Sequence, residues 1–272
     1  MRIEPLVATM YQKDTDIRLK MNIDGPCTII NQTDFNKYPN LQVEESDFLF
    51  ISNQERGLSK SRNAALKATN AEICLVADDD LVYNDNYLTI IEEAYKKYPK
   101  ADLIIFDFIP KNQGARTYGS LYNAPKKLKR LDALKVGSVR ITFKKRSILD
   151  NKIYFNENFG VGARFHSGEE HLFLKKCFEN NLQVYYVPTP LSTVNFQNSG
   201  WFEGFDEKYF ISKGAFAYAF FKSKYLMFIF YFAITKRNLY KEDYSIFEAI
   251  KFMKKGAEIY RKSNEKTYSK ET

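Results

Sequence analysis

The sequence predicts an α/β fold: a mixed, mostly parallel sheet flanked by helices, with a C-terminal helical extension. Three observations carry this. Short, continuous apolar runs recur along the first two thirds of the chain, as buried strands do. Segments with helical apolar spacing alternate with them, the rhythm of βαβ units. An acidic triplet, Asp78-Asp79-Asp80, follows directly on one of the runs, at the strand end where ligands collect in open α/β sheets.

In order, residues 6–10, 28–30 and 48–51 read as strands. A helix follows from about Leu58, with Ser59 as its N-cap. Residues 73–77 form the strand that carries the aspartates. Tyr87, Ile91, Ala94 and Tyr98 recur at i, i+4, i+7 and i+11 and mark an amphipathic helix. Residues 103–109 are a further buried strand. Residues 112–129, polar and holding Gly114, Gly119 and Pro125, read as a long loop, a class that is often functional. Val139, Ile141 and Phe143 alternate with Ser138, Arg140 and Thr142, the pattern of a half-buried strand. Residues 158–162 form a glycine-bearing turn that leads to a helix from about Glu169. Residues 184–187 read as the last strand, stopped by Pro188. From Trp201 onward the chain reads as helical, aromatic and basic.

The chain has 272 residues, 44% hydrophobic and 27% charged, ordinary for a globular protein. Its formal net charge of +8 suits a polyanionic partner: a nucleic acid, an anionic membrane or a phosphorylated substrate. Its three cysteines, Cys27, Cys74 and Cys177, are scattered and give neither a disulfide framework nor zinc spacing. The N-terminus has no signal-peptide pattern, and no apolar stretch is read as long enough to span a bilayer. The expectation is a cytoplasmic protein, free or at the inner face of the cell membrane.

Three crowded carboxylates repel one another unless a cation neutralises them. A hard divalent ion with oxygen ligands fits and can bridge to phosphates; a solvated acidic turn is the alternative. On the preceding helix Leu58, Arg62, Ala65, Leu66 and Thr69 share one face, so Arg62 sits on the buried side and needs an anionic partner. That partner is either a structural carboxylate or the aspartate cluster. Glu169 and Glu170 open the later helix, where the helix dipole alone would favour them. The stripe Phe173, Leu174, Cys177 and Phe178 puts Glu170 near its centre and Glu169 at its edge. An inward carboxylate beside a glycine turn also suits a general base, with Glu170 favoured over Glu169.

These residues bring a family resemblance into view. The segment ERGLSKSRNAALKATNAEICLVADDDLVYNDNYL, residues 55–88, resembles the nucleotide and metal block of glycosyltransferase family 2, which has the GT-A fold. Gly57, then Ser61-Arg62-Asn63, an apolar strand, and Asp78-Asp79-Asp80 match the family pattern in order and spacing. Gly168-Glu169-Glu170 resembles its Gly-Glu-Asp motif. Two departures stand out: Asn31-Gln32 replaces a double Asp after the second strand, and Glu170 replaces the Asp that serves as base. The resemblance covers roughly residues 5–190. It implies a GT-A catalytic domain over 1–200, with 201–272 as the helical extension.

The resemblance also implies a reaction. Mn²⁺ or Mg²⁺, held by Asp80 with Asp78, bridges the diphosphate of a nucleotide-sugar donor, UDP by family frequency. Glu170 takes the proton of an acceptor hydroxyl, which attacks the anomeric carbon with inversion. Thr9 and Asn31 contact the nucleoside; Arg62, Asp78 and Asp79 belong to the donor site. His171 is a further candidate metal ligand or an ordinary polar residue. Trp201 is a candidate acceptor-stacking residue or a packing residue. The acceptor is a glycan, free or lipid-linked, as in bacterial capsule and surface-polysaccharide synthesis. The basic aromatic region 213–237 fits peripheral membrane contact or a homodimer. Other readings explain less. A glycoside hydrolase has no need of the Ser61-Arg62-Asn63 block, and a sugar nucleotidyltransferase would carry a glycine-rich loop after the first strand. A nucleic-acid-binding domain would gather its scattered basic residues into a patch, so no nucleic-acid partner is expected.

Overall fold

The computed structural model describes residues 1–111, 120–195 and 204–268, with side chains to residue 263. Four strands run parallel in one half, β1 (Ile3–Met10), β2 (Cys27–Gln32), β4 (Phe48–Asn53) and β5 (Ile73–Asp78), with β3 (Gln42–Glu44) antiparallel at the edge. The second half holds β6 (Leu81–Tyr83), β7 (Leu103–Pro110), β8 (Lys126–Lys127), β9 (Ile141–Lys144) and β10 (Val184–Val194). The order is β3-β4-β2-β1-β5-β9-β7-β10-β6, with β8 paired to β10. Strand β9 runs antiparallel to both β5 and β7, so the sheet is mixed at its centre. The helices are α1 (Ile17–Lys20), α2 (Leu58–Ala68), α3 (Tyr87–Lys97), α4 (Lys145–Asp150), α5 (Glu169–Glu179), α6 (Glu207–Phe221), α7 (Tyr225–Thr235) and α8 (Ile246–Tyr268).

The pleat of β5 explains the two layers. Cys74 and Val76 face a core with Ala65 and Leu66 of α2, Phe173 of α5 and Phe216 of α6. Ile73, Leu75 and Ala77 face the other side, against Ile17 of α1 and Tyr87, Ile91 and Ala94 of α3. Alternating side chains of a central strand thus fill both faces, so the run reads as continuously apolar.

Several local expectations are corrected. The α2 cap is Gly57, at φ +124°, and Ser59 instead donates from Oγ to the Phe159 carbonyl at 2.7 Å. Ser138–Arg140 is a 3-10 turn and β9 begins at Ile141, with Thr142 as buried as its neighbours because both faces of β9 are covered. Strand β10 passes through Pro188 and Pro190; register shifts beside Pro190 absorb the missing donors. By length and composition Glu207–Thr235 is apolar enough to cross a membrane, with a mean hydropathy of 1.2, although Lys222 and Lys224 interrupt it. Trp201 lies outside the described residues.

The C-terminal helices are continuous with the sheet layers. Ala215, Phe216, Ala219 and Phe220 of α6 join the core beside α5. The opposite side of α6 packs Phe210 and Ala217 against Ile229, Phe232 and Met253 of α7 and α8. Helices α6 and α8 cross at Gly214 and Gly256. A Cβ on Gly214 would lie 1.7 Å from the Met253 carbonyl oxygen, and one on Gly256 would lie 1.9 Å from that of Ile211.

Candidate active site

The site gathers at the carboxyl ends of β1, β2 and β5, closed on one side by α5. Asp78 ends β5, and Asp79 and Asp80 lie in the turn to β6. The three aspartates are held differently. Asp78 Oδ1 accepts from Arg62 Nη2 at 2.7 Å, and its Oδ2 accepts from Ser138 Oγ at 3.0 Å. Asp79 Oδ2 accepts from Thr9 Oγ1 at 2.6 Å. Asp80 gains no side-chain donor among the described residues; only its backbone is tied, its carbonyl accepting from the Asn195 N–H at 3.0 Å. Burial, with the Asp78 and Asp79 charges, pushes the Asp80 carboxyl up to about 7.

Arg62 is the hub. It is 2% exposed and pairs with Asp78 at 2.7 Å and with Glu169 at 3.0 Å. Burial alone would lower its pKa, but Asp78 and Glu169 more than offset this and raise it. The guanidinium therefore stays charged and joins the strand bearing the aspartates to the first turn of α5. Gly168 allows that turn: its φ is +108°, and a Cβ there would meet Phe216 Cδ2 at 2.6 Å.

The two glutamates divide differently from the stripe expectation. Glu169, with 8% side-chain exposure, faces Arg62; Glu170, at 16%, makes an ion pair with His171 Nδ1 at 3.2 Å. The first turn is oriented by Arg62, not by the apolar stripe further along the helix. Burial and the Glu170 charge push Glu169 up to about 7 against the pull of Arg62. Burial acts the same way on Glu170, but His171 and Arg62 overcome it and hold it down at about 2. Burial disfavours the charged His171 ring, and Glu170 raises its pKa despite this. Glu170 Oε2 is buried and has no hydrogen-bond partner among the described residues.

Asn31 and Gln32 act on the backbone. Asn31 is fully buried; its Oδ1 accepts from the Gln12 N–H, and its Nδ2 donates to the Gln12 carbonyl and to Ser52 Oγ. Gln32 closes an amide pair with Gly57, donating to its carbonyl at 2.9 Å and accepting from its N–H at 3.2 Å. The side chains that replace the double Asp thus lock the loops after β1 and β4, and neither reaches open space. Thr9 is likewise buried and spent on Asp79 and Gln12.

A cavity of about 910 Å³ opens beside Asp79 and Asp80, with Lys20, Lys111 and Asn195 on its wall. Three carboxylates, Asp79, Asp80 and Asp85, share that wall with the two lysines, a mixed lining that suits a diphosphate carried with a cation. Sequence reasoning missed both lysines. Lys111 directly follows β7, so the strand-end rule could have found it; Lys20, on a short helix, carried no signal. Tyr11 was also missed. It adopts φ +57° at the end of β1, 37% exposed, with Tyr38 at 5.0 Å and the Arg56 guanidinium at 4.7 Å.

Among the described residues no three His, Cys, Asp or Glu side chains converge as a ready-made metal cage, and His171 does not join the aspartates in one. The donor set still fits Mg²⁺ or Mn²⁺, which use one or two carboxylates with water and substrate phosphates. Asp80 is a crowded, unpaired carboxylate beside a cavity, whereas Asp78 is already neutralised by Arg62.

The family model for glycosyl transferase family 2 matches residues 35–170, half of the chain. The chain belongs to glycosyl transferase family 2. It is a glycosyltransferase with a GT-A-like fold. Solved structures of S. aureus TarS 1–349 superpose with TM-scores of 0.62 for the protein alone, 0.63 for its complex with UDP-GlcNAc and 0.60 for its complex with UDP. Identities are 14%, 16% and 14%, over 91% of this chain and 77% of TarS 1–349 in each case. No curated protein sequence matches the chain.

Proposed function

We propose that this family 2 member is an inverting, metal-dependent glycosyltransferase. It moves a sugar from a uridine-diphosphate donor to a hydroxyl of a surface-glycan acceptor, which can be lipid-linked. The carrying observation is the cavity of about 910 Å³ at Asp79 and Asp80, lined by acidic and basic side chains and roomy enough for a nucleotide-sugar. The TarS complexes with UDP-GlcNAc and UDP support the choice of donor class.

Asp80, with Asp78 behind it, would hold Mg²⁺ or Mn²⁺, which when bound neutralises charge on the donor diphosphate. Lys20 and Lys111, on the same cavity wall, would meet the same phosphates as the leaving group gains charge. Thr9 fixes Asp79, and Asn31 and Gln32 fix the loops that border the nucleoside. Tyr11 offers an aromatic face at the end of β1. Arg62 holds Asp78 and Glu169 in register, so the donor side and the base side keep a fixed separation.

Glu170 is the base in this reading: its Oε2 is buried and lacks a partner among the described residues, so it accepts only once a bound acceptor reaches it. An acceptor hydroxyl would donate to it, attack the anomeric carbon from the face opposite the diphosphate and lose its proton as the new C–O bond forms. The hydroxyl grows strongly acidic as that bond forms, so a carboxylate that stays ionised through neutral pH suffices. Glu169 and Glu170, pushed in opposite directions, resemble the divided carboxylate pairs of acid–base sites. The experiment is thermal melting with UDP, UDP-sugars and Mn²⁺, alone and together. A rise with UDP plus Mn²⁺, larger than with either alone, supports the reading; stabilisation by an oligonucleotide instead would overturn it.

A further inference from the structure

Helix α7 presents an apolar face that nothing among the described residues covers. Met227, Phe230, Tyr231 and Ile234 are 70%, 45%, 62% and 62% exposed. Their i, i+3, i+4, i+7 spacing puts all of them on one stripe. The opposite stripe, Ile229, Phe232 and Ala233, is buried against α6 and α8. Lys222 and Lys224 precede the exposed stripe, and Lys236 and Arg237 follow it, all four exposed. No Asp or Glu occurs between Glu207 and Glu242.

We propose that this stripe of α7 is a peripheral docking surface for an anionic lipid bilayer. The aromatic and aliphatic side chains would enter the headgroup boundary, and the four bracketing cations would meet lipid phosphates. The helix lies on the membrane and does not cross it. Glu207–Thr235 is not one helix: Lys222, at φ +52°, ends α6, and Lys222–Lys224 is a 3-10 turn. Helix α6 is packed into the protein on both sides. Helix α7 alone, with 11 residues, is about 16 Å long, against ~30 Å of hydrocarbon. A second copy is the poorer occupant. A two-fold contact through this stripe would set Lys222, Lys224, Lys236 and Arg237 against their own copies. The proposal does not depend on the donor or on the base.

The test is co-sedimentation of the full chain with phosphatidylcholine vesicles, with and without phosphatidylglycerol, at low and high salt. Wild type is expected to pellet with the anionic vesicles at low salt and to be released by high salt. The double variant Phe230→Gln/Ile234→Gln changes only exposed side chains, so its melting temperature should match wild type. Its binding should fall roughly tenfold per side chain. Lys236→Gln/Arg237→Gln should weaken binding roughly fivefold per charge. No pelleting of wild type at low salt would overturn the proposal, as would pelleting that ignores Phe230→Gln/Ile234→Gln. So would a dimer, seen by sedimentation velocity, that this same pair of substitutions dissociates.

Discussion

Arg62 and Glu169 stand 107 positions apart in sequence, yet the guanidinium donates to the carboxylate at 3.0 Å inside the protein. The same side chain holds Asp78 at 2.7 Å. One buried cation thus fixes the distance between the strand that carries the aspartates and the helix that carries both glutamates.

Removing that cation should be costly. Arg62→Met leaves Asp78 and Glu169 facing each other unpaired, and breaking one side of a buried pair costs about 3–5 kcal/mol. Urea unfolding should show a loss of that order, and transfer should fall further than stability. Arg62→Lys, which keeps the charge but not the fork, should recover stability better than activity.

Asp80 gives a prediction with a defined sign. Its carboxyl, pushed up to about 7, lies above the ordinary aspartate value of 3.8. Between those values the folded state keeps a proton that the unfolded chain releases, so stability falls as pH rises through this window. Asp80→Asn removes the penalty. After solvent screening this amounts to about 1–2 kcal/mol, or about 2–6 °C in Tm, with the gain larger at pH 8 than at pH 5. The same variant should lose metal-dependent donor binding, read by calorimetry with UDP and Mn²⁺.

Metal affinity should itself depend on pH. Ligand carboxylates must be ionised, so Mn²⁺ binding in the presence of UDP should weaken about tenfold per pH unit below about 7. Added Mn²⁺ should shift the acid limb of the rate profile to lower pH. An acid limb that ignores Mn²⁺ concentration would remove Asp80 from the metal site.

Gln32 should be more structural than chemical. Gln32→Ala leaves the buried Gly57 N–H without its acceptor, while the Gly57 carbonyl keeps the Lys60 and Ser61 N–H groups, at about 1–3 kcal/mol. The expected kinetic trace is a raised donor KM with kcat little changed, because the loop before α2 loosens while the base is untouched.

Much of this was legible in the sequence, and the exceptions have physical causes. The apolar run of β5 and the face of α2 located Asp78 and Arg62, because strand burial and helical period are local properties. The triplet's division of labour was not local. It depends on Ser138, from the turn before β9, and on Thr9 of β1. Asn31 read as a nucleoside contact because a polar residue at a strand end looks alike whether it meets a ligand or a neighbouring backbone. Pro188 read as a stop because register shifts in β10 leave no sequence signature. The orientation of Glu169 was set by Arg62, which an apolar stripe does not report.

The most direct measurement compares wild type with Glu170→Gln for donor binding and for release of UDP from a UDP-sugar in the presence of Mn²⁺. The account predicts near-normal binding of UDP with Mn²⁺, because Glu170 does not line the cavity at Asp80. It predicts at least about a hundredfold slower turnover, as expected for loss of a general base. Turnover by Glu170→Gln at the wild-type rate would contradict it.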